Sequence, residues 1–362
     1  MIEQIKTVHA VAVRSRTKLT SDILKHARKL LAVGCFCIGT DQTDLLAASK
    51  QGIVVFNSPY ANTRSVAELV ICEAIALARQ MFDRSMELHQ SGKWNKQSSS
   101  CFEVRGKTLG IIGYGHVGSQ LSILAESLGM HVKFYDIVPK LSLGNAIAVQ
   151  TLEELLSTSD FVTLHVPATP DTNSMISTRE IQLMKRGSYL INASRGKVVD
   201  VGAAANALRS GHLSGGAFDV YPYEPQGNDE PLQSELIGCR NVILTPHIGG
   251  STEEAQAAIG QEVARKIITY INSGSTLGAV NMPEMSLPIH TQSHRILNIH
   301  KNQPGVLRDV NNVLAEYNVV GQMLMTAGPV GYLIADIDKS ASKEVKERIA
   351  QLSSNIKTRI LY

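Results

Sequence analysis

The 362 residues are enough for two or three domains, and an apolar content of 44% supports a packed core, so a largely disordered chain is excluded. The net charge of +3 is small, which argues against a general nucleic-acid-binding protein, because such proteins usually carry a strong basic patch. With no apolar run of about 18 residues and no signal-peptide pattern, the sequence predicts a cytoplasmic protein that does not span a membrane. The five cysteines are irregularly spaced, so no metal site is predicted.

Short apolar stretches alternate with helical patterns through most of the chain. These stretches are continuously apolar, which is typical of parallel strands covered by helices on both faces. The pattern predicts the α/β class. The predicted strands are residues 8–13, 30–35, 53–57, 109–113, 131–136, 161–166, 188–194, 216–221 and 242–247.

One helical pattern is unusually clear. Ser65 and Glu68 fit a capping box, which predicts a helix that follows Ser65 and runs to Phe82. Apolar side chains recur along it at helical spacing, so they form one face: Val66, Leu69, Val70, Leu77 and Met81. The helix lies between two groups of strands and is expected to link two domains.

The composition changes after about residue 272. Residues 272–293 are rich in Ser, Gly and Pro, which indicates a connector. Residues 292–362 then predict the order strand, helix, strand, strand, helix, strand. That order is typical of a small α+β module of the split βαβ kind.

Residues 109–136 contain a nucleotide-binding pattern. Gly113, Gly115 and Gly118 form GxGxxG between an apolar strand and an amphipathic helix, and the next strand ends at Asp136, 18 residues after Gly118. A lone GxGxxG is weak, but the whole arrangement is specific for dinucleotide binding. Because Asp136 would accept hydrogen bonds from ribose hydroxyls and repel a 2′-phosphate, the predicted cofactor is NAD.

Three polar residues follow separate predicted strands. Arg195, Glu224 and His247 each lie just past a strand, and the carboxyl ends of neighbouring parallel strands meet at one crevice. An enzyme that oxidises an alcohol needs an acid/base for the hydroxyl proton and a cation for an anionic substrate. Singly, each residue also fits a structural role, such as a turn or a helix start. Together, behind a glycine loop, they predict catalysis.

Four motifs carry a resemblance to a known family. They are GIIGYGHVGSQL (110–121), LINASRGKVVD (190–200), AFDVYPYEP (217–225) and TPHIGGST (245–252). With them, the chain resembles the D-isomer-specific 2-hydroxyacid dehydrogenase family from about residue 8 to residue 362. The resemblance implies a Rossmann-type NAD domain (62–249) inserted in a flavodoxin-like substrate domain (1–61 and 250–288). It also implies a C-terminal α+β ACT (ferredoxin-like) regulatory domain (292–362).

The resemblance also implies roles for residues. Arg195 would clamp the substrate carboxylate, His247 would carry the proton, and Glu224 would orient the His247 ring and raise its pKa. The residues implied in cofactor binding are Gly113, Gly115, His116, Val117, Gly118, Asp136, Ala193, Ser194, Arg195, Asp219, His247, Gly249 and Gly250.

The implied reaction is the NAD-dependent oxidation of 3-phospho-D-glycerate to 3-phosphohydroxypyruvate, the first step of L-serine biosynthesis. The residues expected to hold this phosphorylated hydroxy acid are Arg14, Ser15, Arg16, Asn62, Arg64 and Lys96, although Lys93 and Lys96 also fit a solvated surface. A homotetramer is implied, with serine as an effector at His300, Asn302 and Asn318.

Two departures from the family pattern change these expectations. The family's substrate domain begins with a strand and a helix upstream of residues 8–13, and the strand is an interior one. We therefore expect unpaired backbone groups, which puts folding and activity in doubt. The stretch around Asn318 looks shorter than in serine-regulated relatives, so we expect weaker inhibition by serine.

Two other functions fit the sequence. One is another D-2-hydroxyacid dehydrogenase, with an unphosphorylated substrate or with 2-oxoglutarate, and Arg14 and Arg16 argue against it. The other is a truncated, non-catalytic NAD-binding remnant, and the intact set of Arg195, Glu224 and His247 argues against that.

Overall fold

The structure is a computed structural model that describes residues 2–225, 227 and 229–362. It divides into two compact units. The central unit is Asn62–Gln256, and the split unit combines the chain up to Ala61 with residues 257–362.

The helices and strands of the described residues are numbered in chain order. The helices are α1 (Ile2–Ile5), α2 (Ser21–Leu24), α3 (Leu45–Lys50), α4 (Thr63–Ala78), α5 (Met81–Ser91), α6 (His116–Ser127), α7 (Leu152–Thr158), α8 (Thr178–Leu183), α9 (Val201–Arg209), α10 (Glu253–Ser273), α11 (Val306–Leu314) and α12 (Ser342–Ala350). The strands are β1 (Ala10–Val13), β2 (Ala32–Cys35), β3 (Val54–Phe56), β4 (Thr108–Ile112), β5 (His131–Tyr135), β6 (Ile147–Ala148), β7 (Phe161–Leu164), β8 (Ser188–Asn192), β9 (Leu213–Phe218), β10 (Val242–Leu244), β11 (Ser293–Lys301), β12 (Val319–Ala327), β13 (Val330–Asp338) and β14 (Asn355–Leu361).

In the part of the central unit that the structure describes, seven parallel strands form one sheet in the order β6-β5-β4-β7-β8-β9-β10. Two separate hydrophobic clusters cover its faces, which explains why the strand sequences are continuously apolar. The strand order reverses between β4 and β7, where ligands bind in open α/β sheets. The prediction of a parallel, Rossmann-type sheet is confirmed.

The predicted linking helix differs at both ends from the observed one. Helix α4 begins at Thr63, so Ser65 lies inside the helix, and its hydroxyl bonds the Thr252 hydroxyl at 2.8 Å instead of capping. Glu68 pairs with Arg64. The predicted capping box at Ser65 was therefore wrong.

The far end of the predicted helix is a second helix. Gln80 has a left-handed φ of 51°, which separates α4 from α5. The Asn241 amide donates to the Leu77 carbonyl at 3.2 Å, and its backbone N–H donates to Asp83 at 2.8 Å. These tertiary contacts fix the break, and Met81 beyond it is half-exposed rather than part of the buried face.

The N-terminal part of the split unit carries a parallel sheet with the order β1-β2-β3 among the described residues. β2 and β3 are buried along their whole length, whereas β1 lies at the edge and exposes Ala10 and Ala12. Within the described chain β1 pairs with β2 alone.

The C-terminal part of the same unit has the predicted order of strands and helices. Its antiparallel sheet has the order β12-β13-β11-β14 in the described chain, and α11 and α12 cover one face through a shared core. The other face packs on the parallel part, where Phe56 of β3 shares a core with Leu297, Ile299 and Tyr332. Lys357 of β14 also donates to the Leu30 carbonyl at 2.6 Å.

A buried arginine joins the connector to this antiparallel sheet. Arg295 of β11 forms a fork–fork pair with Asp336 of β13, with both N–O distances at 2.7 Å. Its remaining N–H groups donate to the carbonyls of Ser273 (2.8 Å), Leu287 (3.0 Å) and Pro288 (2.6 Å). All five donors of the guanidinium are therefore satisfied.

Candidate active site

The glycine loop connects β4 to α6 in a way that only glycine allows. Gly113 has a φ of 90°, and a Cβ there would lie 2.5 Å from the His165 carbonyl oxygen. A Cβ at Gly118 would collide with the Gly113 carbonyl oxygen. Both positions therefore require glycine for close packing.

Gly115 has the opposite environment. A Cβ built on it would meet no atom within 4 Å, so its backbone faces open space directly before His116, the first residue of α6. The first amides of an α-helix have no intrahelical partner, and they favour an anion. This open stretch of backbone has the space and the donors that a pyrophosphate requires.

Asp136 lies directly after β5, beside the glycine loop. Its carboxylate accepts from the Tyr114 N–H at 2.8 Å and from the Val138 N–H at 2.9 Å. These bonds fix the carboxylate and leave lone pairs for further donors. The group suits ribose hydroxyls and disfavours a phosphate in the same place.

His247 and Glu224 form a hydrogen-bonded pair. The distance from His247 Nδ1 to Glu224 Oε2 is 2.8 Å, and 51% of the His247 side chain is exposed. His247 has a left-handed φ of 55°, an unusual backbone for a residue with a side chain. The ring is thus oriented by a carboxylate on one nitrogen and is accessible to a substrate.

The pair shifts both pKa values. The hydrogen bond that His247 donates to Glu224, and then the charge of Glu224, raise the pKa of His247 despite partial burial and the charge of Arg195. Burial of Glu224 opposes its ionisation, but the His247 hydrogen bond and charge, with the Tyr221 N–H and Arg195, lower its pKa overall. Glu224 is therefore a carboxylate that stabilises the imidazolium form of His247.

Arg195 directly precedes a short 3-10 turn, Gly196–Val198, that follows β8. Its Nη1 donates to the Ser194 carbonyl at 2.8 Å. A Cβ at Gly196 would collide with the Tyr221 carbonyl, so this glycine lets the loop after β8 approach the loop that carries Glu224. The charge of Arg195 acts on the pKa values of both Glu224 and His247, so the structure brings the predicted trio together.

Asp219, a predicted cofactor ligand, is only 1% exposed, and its carboxylate forms hydrogen bonds within the protein. Its carboxylate accepts from the Thr245 hydroxyl at 2.6 Å and from the N–H groups of Ile248 and Gly249, both at 2.8 Å. It therefore holds the loop on both sides of His247.

The other predicted cofactor residues lie in the same unit. Ala193 and Ser194 follow β8, Val117 lies in the first turn of α6, and Gly249 touches Asp219. A Cβ at Gly250 would lie 2.5 Å from the Asn62 amide nitrogen, so Asn62 at the start of α4 adjoins the same loop.

The remaining predicted substrate residues are exposed. Arg64 pairs with Glu68 on the first turns of α4, and Lys96 lies in an irregular segment after α5. Arg14, Ser15 and Arg16 directly follow β1 in the split unit.

The predicted effector residues are divided between two ends of the antiparallel sheet. His300 pairs with Gly331 in the β11–β13 register, and Asn302 donates to the Gly328 carbonyl at 3.0 Å at that end. Asn318 instead donates to Asp338 at 3.3 Å. Gly331 and Asp338 are seven residues apart on β13, which at about 3.3 Å per residue is roughly 23 Å.

Two residues that the sequence did not single out, the buried Asn192 and the half-buried Thr245, support the site. Asn192 accepts from the Ser194 N–H at 3.1 Å and donates to the Arg195 carbonyl at 3.1 Å, which shapes the arginine turn. Thr245 carries a hydroxyl that bonds Asp219. Each lies within a few residues of a predicted catalytic residue, but only the direction of its side chain shows that it supports the site.

No group of three or more His, Cys, Asp or Glu side chains in the described residues is arranged to hold a metal ion. Within the same residues, no helix combines the length and the apolar character that crossing a bilayer requires.

Comparison with protein families identifies the central region. Residues 71–249 match the model of the D-isomer specific 2-hydroxyacid dehydrogenase NAD binding domain. The predicted cofactor, NAD, is confirmed by this match. The matched segment contains the glycine loop, Asp136 and the Arg195–Glu224–His247 trio.

Full-length relatives extend the similarity to the whole chain. D-3-phosphoglycerate dehydrogenase of Dictyostelium discoideum is 59% identical over all of this chain and 89% of its own length. D-3-phosphoglycerate dehydrogenase 1 of Saccharomyces cerevisiae is 53% identical over all of this chain and 80% of its own. The solved structure of D-lactate dehydrogenase from Aquifex aeolicus, complexed with NAD and lactic acid, is 29% identical with a TM-score of 0.70, covering 78% of this chain and 90% of that one.

Proposed function

Because the chain belongs to the D-isomer specific 2-hydroxyacid dehydrogenase family, we propose that it oxidises 3-phospho-D-glycerate to 3-phosphohydroxypyruvate with NAD, as the first step of L-serine biosynthesis. The single observation that carries the chemistry is the His247–Glu224 pair beside Arg195, in the unit that holds the glycine loop. The choice of substrate is supported by full-length relatives, 53% and 59% identical, that are named for it.

The chain's residues would hold NAD at three points. The backbone at Gly115 and the first turn of α6 would bind the pyrophosphate, and Asp136 would bind the ribose hydroxyls. Bound NAD supplies the acceptor for the hydride that leaves the substrate's carbinol carbon.

The proton and the substrate carboxylate are handled by the trio. His247 takes the hydroxyl proton at Nε2, since Nδ1 faces Glu224, and returns it in the reverse reaction. Glu224 stabilises the imidazolium that this transfer forms. Arg195 would bind the substrate carboxylate with its planar fork and orient the carbinol toward His247.

The reaction is tested by adding 3-phosphohydroxypyruvate to the protein with NADH and following loss of nicotinamide absorbance. We expect steady turnover, and much slower turnover with NADPH, because Asp136 would repel the 2′-phosphate. Replacing Asp136 with Ala should reduce the difference between the turnover with NADH and the turnover with NADPH. A preference of the unaltered protein for NADPH would contradict the role of Asp136.

The same assay separates the alternative functions. Equal turnover of hydroxypyruvate, which lacks the phosphate, would favour an unphosphorylated substrate and remove the proposed role of Arg14, Ser15 and Arg16. Turnover of 2-oxoglutarate would add that reduction to the activity. Binding of NADH without turnover of any 2-oxo acid would identify a non-catalytic remnant.

We also propose that the antiparallel module is a serine-responsive ACT domain. Asn318 lies at the opposite end of the sheet from His300 and Asn302, so one effector site would need these residues from two copies of the chain. Such sharing requires at least a dimer, while the homotetramer and the cytoplasmic location stay predictions.

L-serine is expected to inhibit the enzyme, but more weakly than in relatives with the full segment near Asn318. The exposed Asn302 provides the cleanest test, because Asn302→Ala removes one polar contact without opening the core. Loss of such a bond to a charged ligand costs roughly 1.5 to 3 kcal/mol, so the inhibitory concentration should rise about ten- to a hundredfold. His300→Ala should act in the same direction. Inhibition that neither substitution changes would place the effector site elsewhere.

A further inference from the structure

A buried glutamate in α4 has no assigned role. Glu73 is 2% exposed, and neither carboxyl oxygen has a hydrogen-bond partner among the described residues. Burying a carboxylate without partners is strongly unfavourable. A carboxyl group kept in such a place is therefore either neutral or has a role in the structure around it.

The face of α4 that carries Glu73 contacts the loop that carries His247. Val66, Leu69 and Glu73 follow one another at spacings of three and four residues, so they share one helix face. A Cβ built on Gly249 would lie 3.5 Å from Val66 and 3.7 Å from Leu69, and α4 also packs on β9 and β10. Glu73 lies further along this face.

The charge of Asp219, the carboxylate that holds the His247 loop, acts on Glu73. Burial, and then the charge of Asp219, raise the pKa of Glu73 to about 8. Glu73 in turn acts on the pKa of Tyr221, which bonds the Thr245 carbonyl at 3.0 Å. A second negative charge in this buried region would therefore be costly.

Other elements packed on α4 bring titratable groups as well. β10 has none, and those of β8, α5 and α6 are Tyr189, Asp83, Arg84, Glu87, His89, His116 and Glu126. Burial and the charge of Asp219 are the effects that shift the pKa of Glu73, and among the described residues no cation lowers it.

We propose that Glu73 is a positioning residue for His247, and that its neutral carboxyl leaves Asp219 undisturbed as the acceptor that holds the Thr245–Gly249 loop. Ionisation of Glu73 would place two negative charges in one buried cluster. This repulsion would be relieved if Asp219 lost its hydrogen bonds to the N–H groups of Ile248 and Gly249. The loop would then be released and His247 would be misplaced.

The role rests on the proposed function, and two measurements on Glu73→Gln test it. Gln keeps the size of the neutral carboxyl but cannot ionise. In the oxidation direction, unaltered enzyme should lose activity above pH 8, by up to roughly tenfold at pH 9, one unit past the Glu73 pKa. Glu73→Gln should match its kcat at pH 7 and keep it at pH 9. A loss of activity above pH 8 that is the same in both proteins would overturn the proposal.

The second measurement does not need activity, so it separates failure of this role from failure of the proposed function. The folded-state pKa of about 8 exceeds the ordinary value of 4.5, so the stability that the Glu73 proton supplies is complete below pH 4.5 and is lost as pH rises to 8. The melting temperature of Glu73→Gln should therefore exceed that of unaltered protein by a margin that grows from pH 5 to pH 8. Glu126→Gln, an exposed carboxylate on α6, is the matched control and should show no such trend. A constant margin would show that Glu73 is not held neutral and would overturn the proposal.

Discussion

His247→Asn should lower kcat by about 10²- to 10⁴-fold, because it removes the general acid/base and keeps a polar side chain of similar size. NADH binding should change little, since the glycine loop and Asp136 lie on other elements of the sheet. Turnover is followed by nicotinamide absorbance, and NADH binding by its fluorescence. Near-normal turnover would make His247 a turn residue with a purely structural role.

Glu224→Gln is the companion variant, and its readout is the pH profile. Glu224 raises the pKa of His247, so its removal should lower that pKa. In the oxidation direction His247 must be unprotonated, so the rise of kcat with pH should begin at lower pH in the variant. The reverse reaction needs the imidazolium and should lose activity at lower pH than in unaltered enzyme. An unchanged profile in both directions would separate Glu224 from the proton transfer.

The glycine loop and the parallel strands were predictable because their requirements are local. Gly113 and Gly118 are fixed by contacts within one strand–loop–helix unit, and buried parallel strands are apolar at successive positions. The trio was predictable for a related reason, since parallel strands place their carboxyl ends at one edge.

The direction of polar side chains was not predictable, because it is decided by distant segments. Asp219 follows a strand like Glu224, and the sequence does not show that its carboxylate accepts three donors from residues 245–249. Glu73 is a charged residue of the kind usually found on the exposed face of a helix, yet the helix face it occupies packs on the sheet. The break at Gln80 depends on Asn241, which is far away in the chain.

Arg295→Met should destabilise the protein by about 3 to 5 kcal/mol, because it leaves Asp336 buried without its partner and removes the donors to three connector carbonyls. Both side chains are almost fully buried, at 6% and 1% exposure, so water cannot replace the lost bonds. The free energy of unfolding is measured by urea titration. Arg308→Met is the matched control, since its partner Asp309 is a neighbour on an exposed turn of α11, and it should change stability little.

The double variant Arg295→Met, Asp336→Leu decides how the pair acts. When both charges are removed, no ion remains buried, and such replacements are often neutral or stabilising. The connector carbonyls still lose their donors, each worth roughly 0.5 to 1.5 kcal/mol, so we expect the double variant to recover part of the loss, but not all of it. If the double variant is as unstable as Arg295→Met, the carbonyl bonds carry the stability and the ion pair contributes nothing. If Arg295→Met alone costs less than about 1 kcal/mol, the clamp between the connector and the antiparallel sheet is not a stabilising feature of this fold.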